Sequence, residues 1–269
     1  MGIFQNNLMG AAAAAASAGG GAFYSHQIEQ CVRFDEDDGG YMTRTPSSAG
    51  NRRTFTVSFW WKRTVITHSG NHMVPFGADA NNGGATIWNI RIRNTDNFQV
   101  GASGGTEYIW SPLYRDTTGW GHYMLAVDMT QATGSNRIKF YFNGTQVTAT
   151  DASSISAQNY QTEVNNTTEH QLGIMKYASS SSDFAGYMAE FVLIDGTAQA
   201  PTDLGESKNG VWIPKDPSGL TFGTNGTYLK FENASDLGND SSGNNNDYSV
   251  TNMGTDHQVL DSPTVGTGS

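Results

Sequence analysis

Alternation between apolar and polar side chains is the clearest pattern along the chain. In residues 54–63 the apolar residues Phe55, Val57, Phe59 and Trp61 occupy every second position. Side chains of a strand point to opposite faces in turn, so these four share one face. The pattern predicts a half-buried strand, with these four side chains towards the core and the other face towards solvent.

A β-hairpin is predicted a little further along the chain. The apolar side chains of residues 86–93 share one face, and a polar run at residues 94–97 is followed by Phe98 and Val100. Two alternating stretches separated by a short polar run are typical of antiparallel strands joined by a turn.

Asn143-Gly144 gives the most specific local prediction. The pair separates the apolar stretch at residues 137–142 from the next strand, and a further strand is predicted at residues 120–128. Asn-Gly supplies the two positive-φ positions of a type I′ turn. The chain should therefore reverse at this pair and place Val147 beside Phe140.

Residues 184–196 predict a central strand because they are apolar on both faces. Late strands at residues 228–232 and 248–250 are expected to pair with residues 32–34 and 41–42. No amphipathic helix is evident after the first 20 residues, and no repeat of 20 to 50 residues suggests a solenoid. The fold class predicted is all-β: one antiparallel jelly-roll β-sandwich over residues 26–269, preceded by an arm at residues 1–25.

Composition and charge narrow the functional classes. The chain has 32 Gly and only 15% charged residues, as expected for short strands and turns. Its net charge of −10 opposes binding to a phosphate backbone, so nucleic acid is not an expected partner. The single cysteine, Cys31, excludes an internal disulfide, and its strand-like surroundings favour a buried structural thiol over a nucleophile.

The first 21 residues differ in composition from the rest of the chain. They contain six consecutive alanines and a glycine run, but no Lys or Arg before the apolar part and no run of about 18 apolar residues. A signal peptide and a membrane span are therefore not expected. The preferred interpretation is an assembly arm and the alternative is a disordered tail. The apolar anchors of the arm would be Ile3, Phe4, Leu8 and Met9.

Several motifs together resemble a known family. Residues 59–63, 120–122, 138–144 and 184–190 resemble the laminin-G-like branch of the concanavalin A-like lectin/glucanase superfamily. Residues 44–56, 194–196, 209–215 and 240–244 are more specifically similar to proteins of marine bacteriophages.

That resemblance implies a jelly roll and a place on the virion surface, as a head decoration or a tail fibre. It implies other capsid or tail proteins and host-surface glycans as partners. A homo-oligomer is expected, with a trimer as the working assumption.

Catalysis is not expected from the side chains present. Related glycosidases carry a Glu-x-Asp-x-Glu strand, which this chain lacks, and Glu190 and Asp195 should lie on opposite faces of their strand. His68 and His72 form a His-x-x-x-His pair, but they lie in a Ser-Gly-Asn loop instead of a helix. The chain is therefore interpreted as a protein without enzyme activity.

Two ligand sites are candidates, each with a plainer alternative. Calcium is the only candidate cofactor, and none is required by the sequence; oxygen ligands lie at Asp240, Asn244, Asn246 and Asp247, although the same residue types form tight turns. Tyr108 and Trp110 could stack on sugar rings, although aromatic residues of a sandwich commonly lie in the core.

The sequence therefore supports three functional hypotheses. The first is a non-catalytic virion structural protein that displays a lectin-like sandwich and binds host glycans. The second is a free carbohydrate-binding module, and the least favoured is a glycan hydrolase.

Overall fold

The computed structural model describes residues 23–66, 72–79, 87–102, 106–150, 156–177 and 180–264. These ranges contain β-strands and four short 3-10 turns, and no α-helix occurs within them. The strands in chain order are β1 (Cys31–Phe34), β2 (Tyr41–Arg44), β3 (Thr54–Arg63), β4 (Met73–Asp79), β5 (Ile87–Ile92), β6 (Asn97–Ala102), β7 (Thr106–Leu113), β8 (Gly121–Asp128), β9 (Ile138–Phe142), β10 (Thr145–Val147), β11 (Glu169–Leu172), β12 (Ile174–Tyr177), β13 (Ser180–Asp183), β14 (Gly186–Asp195), β15 (Gly205–Lys208), β16 (Val211–Pro214), β17 (Thr227–Leu229), β18 (Ser249–Thr251) and β19 (Gln258–Val259).

Two antiparallel sheets form the sandwich, which confirms the predicted fold class. The first sheet has the order β10-β9-β8-β3-β14-β1-β19, with β17 paired to β14. The second sheet has the order β18-β2-β11-β4-β5-β6-β7. Strands that are neighbours in space are often distant in the chain, as in a jelly roll, so the core is assembled from non-local contacts. Two small hairpins, β12–β13 and β15–β16, lie outside these sheets.

Aromatic side chains fill the space between the sheets. Phe98 stacks on Phe140 with ring centroids 4.0 Å apart, and Phe55 meets Trp88 edge-on at 5.3 Å, so each pair joins the first sheet to the second. Such pairs add to the hydrophobic effect through their ring geometry. With no disulfide available, this aromatic core supplies the main stabilisation.

The predicted hairpins are confirmed in register. Ile90 lies opposite Val100 in the β5–β6 pair. Asn143 and Gly144 both have positive φ, and Val147 lies opposite Phe140, as the type I′ turn required. The central strand is confirmed as well, because β14 pairs with both β1 and β3.

Two strand predictions need correction. The strand at residues 54–63 is buried on both faces, since Thr56 and Trp60 are as inaccessible as the core-facing side chains. Thr56 Oγ1 donates to Thr197 O, so a later segment covers the face that alternation assigned to solvent.

The segment around Tyr228 pairs with β14 and not with residues 32–34. The second late pairing is correct, because Val250 lies opposite Met42.

Both ends of the described chain lie together on the outer face of the first sheet. Ile28 N donates to Thr264 Oγ1, and Thr264 Oγ1 donates back to Ile28 O, each at 2.8 Å. Tyr24 is buried, and Ser25 Oγ donates to Glu206 of β15 at 2.7 Å. The last residues of the predicted arm, 23–25, therefore already pack against the sandwich.

No helix in the described ranges is both long enough and apolar enough to cross a lipid bilayer.

Candidate functional site

A large cleft lies at one end of the first sheet. It encloses about 1010 Å³ and is formed by the β7–β8 connection, the β9–β10 turn and the β15–β16 hairpin. We call it the Trp212 cleft. Its walls are mainly apolar and aromatic and its rim is polar. The walls include Tyr114, Trp120, Phe142 and Trp212, and the rim includes Arg115 and Asp116.

Two glycines fix the ring of Trp212 at the floor of this cleft. A Cβ at Gly144 would lie 2.3 Å from the ring, and one at Gly205 would lie 2.5 Å from it. The indole N–H donates to His122 Nδ1 at 3.1 Å, which orients the ring in its plane. The β9–β10 turn and β15 can therefore approach the indole closely only because neither position carries a side chain.

Trp120 gives the cleft a second indole, which is half-buried and held at its edge. Its N–H lies 3.3 Å from Asp261 Oδ1, and Asp261 is in turn paired with Lys62. The sequence flanks Trp120 with Gly119 and Gly121, so bulky neighbours do not crowd the ring. Flat apolar faces of this kind pack against the C–H faces of sugar rings.

Tyr114 lies in the wall with its hydroxyl buried. The hydroxyl has no hydrogen-bond partner among the described residues. Burial raises the pKa of this phenol well above its ordinary value, so it stays protonated and able to donate. Its ring is fixed by edge contacts with Tyr123 and Phe142, at 5.6 and 5.1 Å.

The two arginines of the cleft meet at one buried carboxylate. Arg63 Nη2 lies 2.7 Å from Asp96 Oδ1, and Arg115 Nε donates to Asp96 Oδ2 at 2.5 Å. Arg63 also donates to the carbonyl oxygens of Val65 and Tyr114 at 2.6 Å. Both guanidinium groups thus hold the loops that frame the cleft.

A Ser–His pair near the cleft is not arranged for nucleophilic catalysis. Ser58 Oγ lies 2.7 Å from His122 Nε2, and both residues are buried. Because the Trp212 indole can only donate, His122 Nδ1 must be the acceptor and Nε2 must carry the hydrogen. Nε2 therefore donates to Ser58 and cannot remove its proton. Burial lowers the pKa of His122 to about 3, which keeps the ring neutral.

Glu190 and Asp195 belong to separate hydrogen-bond networks. A β-bulge between Ala189 and Val192 gives Glu190 a positive φ of 48°, and its carboxylate lies 2.5 Å from both His26 Nε2 and the Tyr228 hydroxyl. Asp195 instead accepts two backbone N–H groups. Each carboxylate is thus engaged in holding distant segments together.

The prediction that Tyr108 and Trp110 form an exposed stacking platform is wrong. Both are 1% exposed, and their rings stack on each other 5.9 Å apart. Trp110 also meets Phe140 edge-on at 5.3 Å. Both side chains lie in the core between the sheets, where no sugar can reach them.

The predicted calcium ligands form a hydrogen-bonded turn. Asp240 Oδ1 accepts from Tyr228 N at 2.8 Å, Oδ2 accepts from Asn246 N at 2.9 Å, and Asp247 Oδ1 accepts from Asp240 N at 2.8 Å. Asn244 Nδ2 donates to Gly223 O at 2.8 Å.

Both carboxylate oxygens of Asp240 and Oδ1 of Asp247 therefore already face protein donors. The amide oxygen of Asn246 accepts from Arg44, and no group of three His, Cys, Asp or Glu side chains suited to a metal occurs in the described ranges. In the part of the chain that the structure describes, this segment has the hydrogen bonds of a tight turn, which is the alternative that the sequence left open.

The remaining predictions concern the arm anchors, the histidine pair and Cys31. The arm anchors Ile3, Phe4, Leu8 and Met9 lie outside the described residues, as does His68 of the histidine pair. Cys31 is fully buried, as predicted, and burial raises the pKa of its thiol.

The sequence-based search missed the Trp212 cleft. Its signal was weak but present, because Trp120 and Trp212 each stand within two residues of a glycine.

Comparison with known proteins supports the fold and the family. The model of the Concanavalin A-like lectin/glucanases superfamily matches residues 36–201, which is more than half of the chain. No curated protein sequence matches the chain.

Several solved structures are similar at low sequence identity. A SAP-like pentraxin from Limulus polyphemus has a TM-score of 0.45 and 13% identity, over 66% of this chain and 82% of that chain. The CBM40 of a Ruminococcus gnavus IT-sialidase, bound to α2,3-sialyllactose, has a TM-score of 0.41 and 12% identity, over 61% and 89%. The binding domain of Botulinum neurotoxin DC, in complex with SialylT, has a TM-score of 0.45 and 13% identity, over 64% and 40%. At these TM-scores the similarities carry no argument about the ligand or site of this chain.

Proposed function

The chain belongs to the Concanavalin A-like lectin/glucanases superfamily, and from that premise we propose that it is a non-catalytic surface component of a bacteriophage virion that binds glycans in the Trp212 cleft. The observation that carries the glycan part is the cleft itself. It combines half-buried indole rings with a polar rim, the two features that sugar rings and their hydroxyl groups require.

The size of the cleft also suits this ligand class. Its volume of about 1010 Å³ exceeds what a single sugar ring needs, so a short oligosaccharide is the expected occupant. Weak single sites of this type gain avidity when several copies act together, which agrees with the proposed homo-oligomer, for which we retain a trimer as the working assumption.

The virion part of the proposal rests on the phage-like motifs and on the position of the chain ends. The motifs at residues 44–56 and 194–196 are joined because Asp195 accepts from Asn51 N, and Arg44 of the first motif donates to Asn246, two residues after the motif at 240–244. The segment at residues 23–30 lies on the outer face of the first sheet. The predicted arm at residues 1–25 ends at this segment, and we propose that it binds a capsid or tail protein.

Glycan binding is tested with the full chain on an array of immobilised oligosaccharides. Trp120→Leu keeps an apolar side chain but removes the flat ring, and we expect binding to fall about tenfold, because stacking on the indole is lost. Ile66→Ala is the control, since Ile66 is an exposed apolar side chain that does not line the cleft. Equal loss in both variants, or no binding by the wild type, would contradict the glycan part.

The virion part needs an independent experiment. Cryo-electron microscopy of intact particles should show the sandwich against capsid or tail proteins, as a head decoration or a tail fibre. A chain that lacks residues 1–21 should still fold but should not be incorporated. Absence of the full chain from particles would favour the alternative function, a free carbohydrate-binding module.

A further inference from the structure

Arg115 brings a second positive charge to a buried carboxylate that already has one. Asp96 is buried, and the equally buried Arg63 pairs with it at 2.7 Å. Arg63 is itself held in place by the carbonyl oxygens of Val65 and Tyr114, each at 2.6 Å. One buried cation is enough to balance one buried carboxylate. The charge of Arg115 is therefore surplus to this pair, and the packing of the sandwich does not explain it.

The side chain of Arg115 is exposed at the rim of the Trp212 cleft and is held by one edge. It is 54% exposed, whereas that of Arg63 is 3% exposed. Its Nε donates to Asp96 Oδ2 at 2.5 Å, and this is the one hydrogen bond that Arg115 makes within the described part of the chain. A guanidinium group has five N–H donors in one plane. Asp96 thus orients the group, and the four N–H groups on its two Nη atoms are left for water or a ligand.

We infer that Arg115 binds the acidic group, a carboxylate or a sulfate ester, of an oligosaccharide in the Trp212 cleft. This inference rests on the proposed function and adds a specificity-determining residue and a ligand class to the same site. Two N–H groups of an arginine match two oxygens of such an anion, and charge-assisted hydrogen bonds are stronger than neutral ones. The half-buried indole rings of Trp120 and Trp212 offer flat faces to the sugar rings of the same ligand.

The negative charges nearby weaken this contact without occupying Arg115. Asp116 adds a carboxylate to the rim, but its Oδ1 accepts from the N–H and the hydroxyl of Thr118, at 2.8 and 2.7 Å, and so closes a turn. The net charge of −10 is spread over the whole chain, and physiological salt screens exposed charges beyond about 8 Å. An anion that is hydrogen-bonded to Arg115 lies well inside that distance, so the local contact dominates.

Arg115→Gln separates recognition of the anion from binding of the sugar rings. Asp96 keeps Arg63 in this variant, so the chain should still fold, which its melting temperature checks. Affinity for an acidic oligosaccharide should fall about tenfold to a hundredfold, as expected for a lost charge-assisted pair, while affinity for the neutral counterpart should change less than about twofold. Arg115→Lys keeps the charge but not the planar fork and should lose an intermediate amount. A purely structural role would lower both affinities together.

Arg53→Gln is the matched control. Arg53 is also exposed, and it precedes β3 at the end of that strand opposite to Arg63, away from the cleft. This variant removes the same charge from the chain but should leave both affinities unchanged. Asp116→Asn tests the opposite sign, because it removes the negative charge of the rim and keeps an oxygen for Thr118. Its affinity for an acidic oligosaccharide should rise about two- to threefold.

The probes are uronic acid oligomers, sulfated galactose oligomers and the corresponding neutral oligomers, measured by calorimetry with the full chain at low and high salt. Binding of uronates, of sulfate esters or of both supports the inference if it weakens in Arg115→Gln but not in Arg53→Gln and also weakens in high salt. Binding of neutral oligomers alone, or equal affinity of Arg115→Gln and wild type for acidic oligomers, overturns it but leaves glycan binding intact. No binding to any oligomer overturns the glycan part of the proposed function as well.

Discussion

Removal of the Asp195 carboxylate should destabilise the sandwich more than its position at a strand end suggests. Asp195 Oδ1 accepts from Asn51 N at 2.7 Å, and Oδ2 accepts from Asn225 N at 3.0 Å. The carboxylate therefore ties the loop before β3 and the loop before β17 to the end of β14. In Asp195→Ala both N–H groups lose a charged acceptor.

The size of the stability loss depends on whether each freed N–H group can hydrogen-bond to water instead. Asn225 is buried, so its orphaned N–H should cost about 1–3 kcal/mol, whereas Asn51 is exposed and should cost about 0.5–1 kcal/mol. The expected loss is about 1.5–4 kcal/mol, which corresponds to a fall in melting temperature of about 3–16 °C for a domain of this size. Asp195→Asn should lose an intermediate amount of stability. Its amide oxygen can still accept from one of the two N–H groups, but its NH₂ group cannot accept from the other.

Equilibrium unfolding in urea measures this loss directly. Asp236→Ala is the control, because that carboxylate is exposed and should change the free energy of unfolding by less than about 0.5 kcal/mol. A loss below about 1 kcal/mol in Asp195→Ala, or an equal loss in the control, would refute the reasoning that two N–H groups depend on this side chain.

Three further predictions concern metal, pH and a glycine. Addition of EDTA should shift the melting temperature by less than about 1 °C, because the oxygens of Asp240 face protein donors; a larger fall would restore the calcium hypothesis. Burial lowers the pKa of His26, but the hydrogen bond and charge of Glu190 outweigh it and raise the pKa overall. The resulting stabilisation is complete below about pH 6.5 and is lost as pH rises through the raised pKa. The protection factors for hydrogen exchange at residues 23–30, which correct for the faster intrinsic exchange at higher pH, should therefore fall at alkaline pH in wild type but not in His26→Ala. Gly144→Ala should cost about 2 kcal/mol or more in urea unfolding, because it strains a positive φ and meets the Trp212 ring; an unchanged midpoint would show that the ring can move.

Local features of the fold were predictable wherever one short stretch determines them. The Asn143-Gly144 turn and the Val147–Phe140 register follow from backbone preferences of two residues. The all-β class followed from alternation and composition in the same way.

What the sequence could not reveal depends on contacts between distant segments. The second face of β3 is buried because residues near Thr197 cover it, and no pattern within residues 54–63 indicates this cover. Tyr108 and Trp110 illustrate the same limit of prediction from sequence. Alternation shows which side chains share one face of a strand, but not whether that face packs against the other sheet. The acidic turn at Asp240 resembled a calcium site because the donors that its oxygens accept from, such as Tyr228 N, are remote in the sequence.

The reciprocal hydrogen bonds between Ile28 and Thr264 have a mechanical consequence. A load that enters through the amino-terminal segment first meets Ile28, the buried Tyr24 and the contact of Ser25 with the β15–β16 hairpin, which also forms part of the Trp212 cleft. On the proposed function, tension between the arm and a glycan in the cleft would follow a short path through these contacts, along one side of the domain.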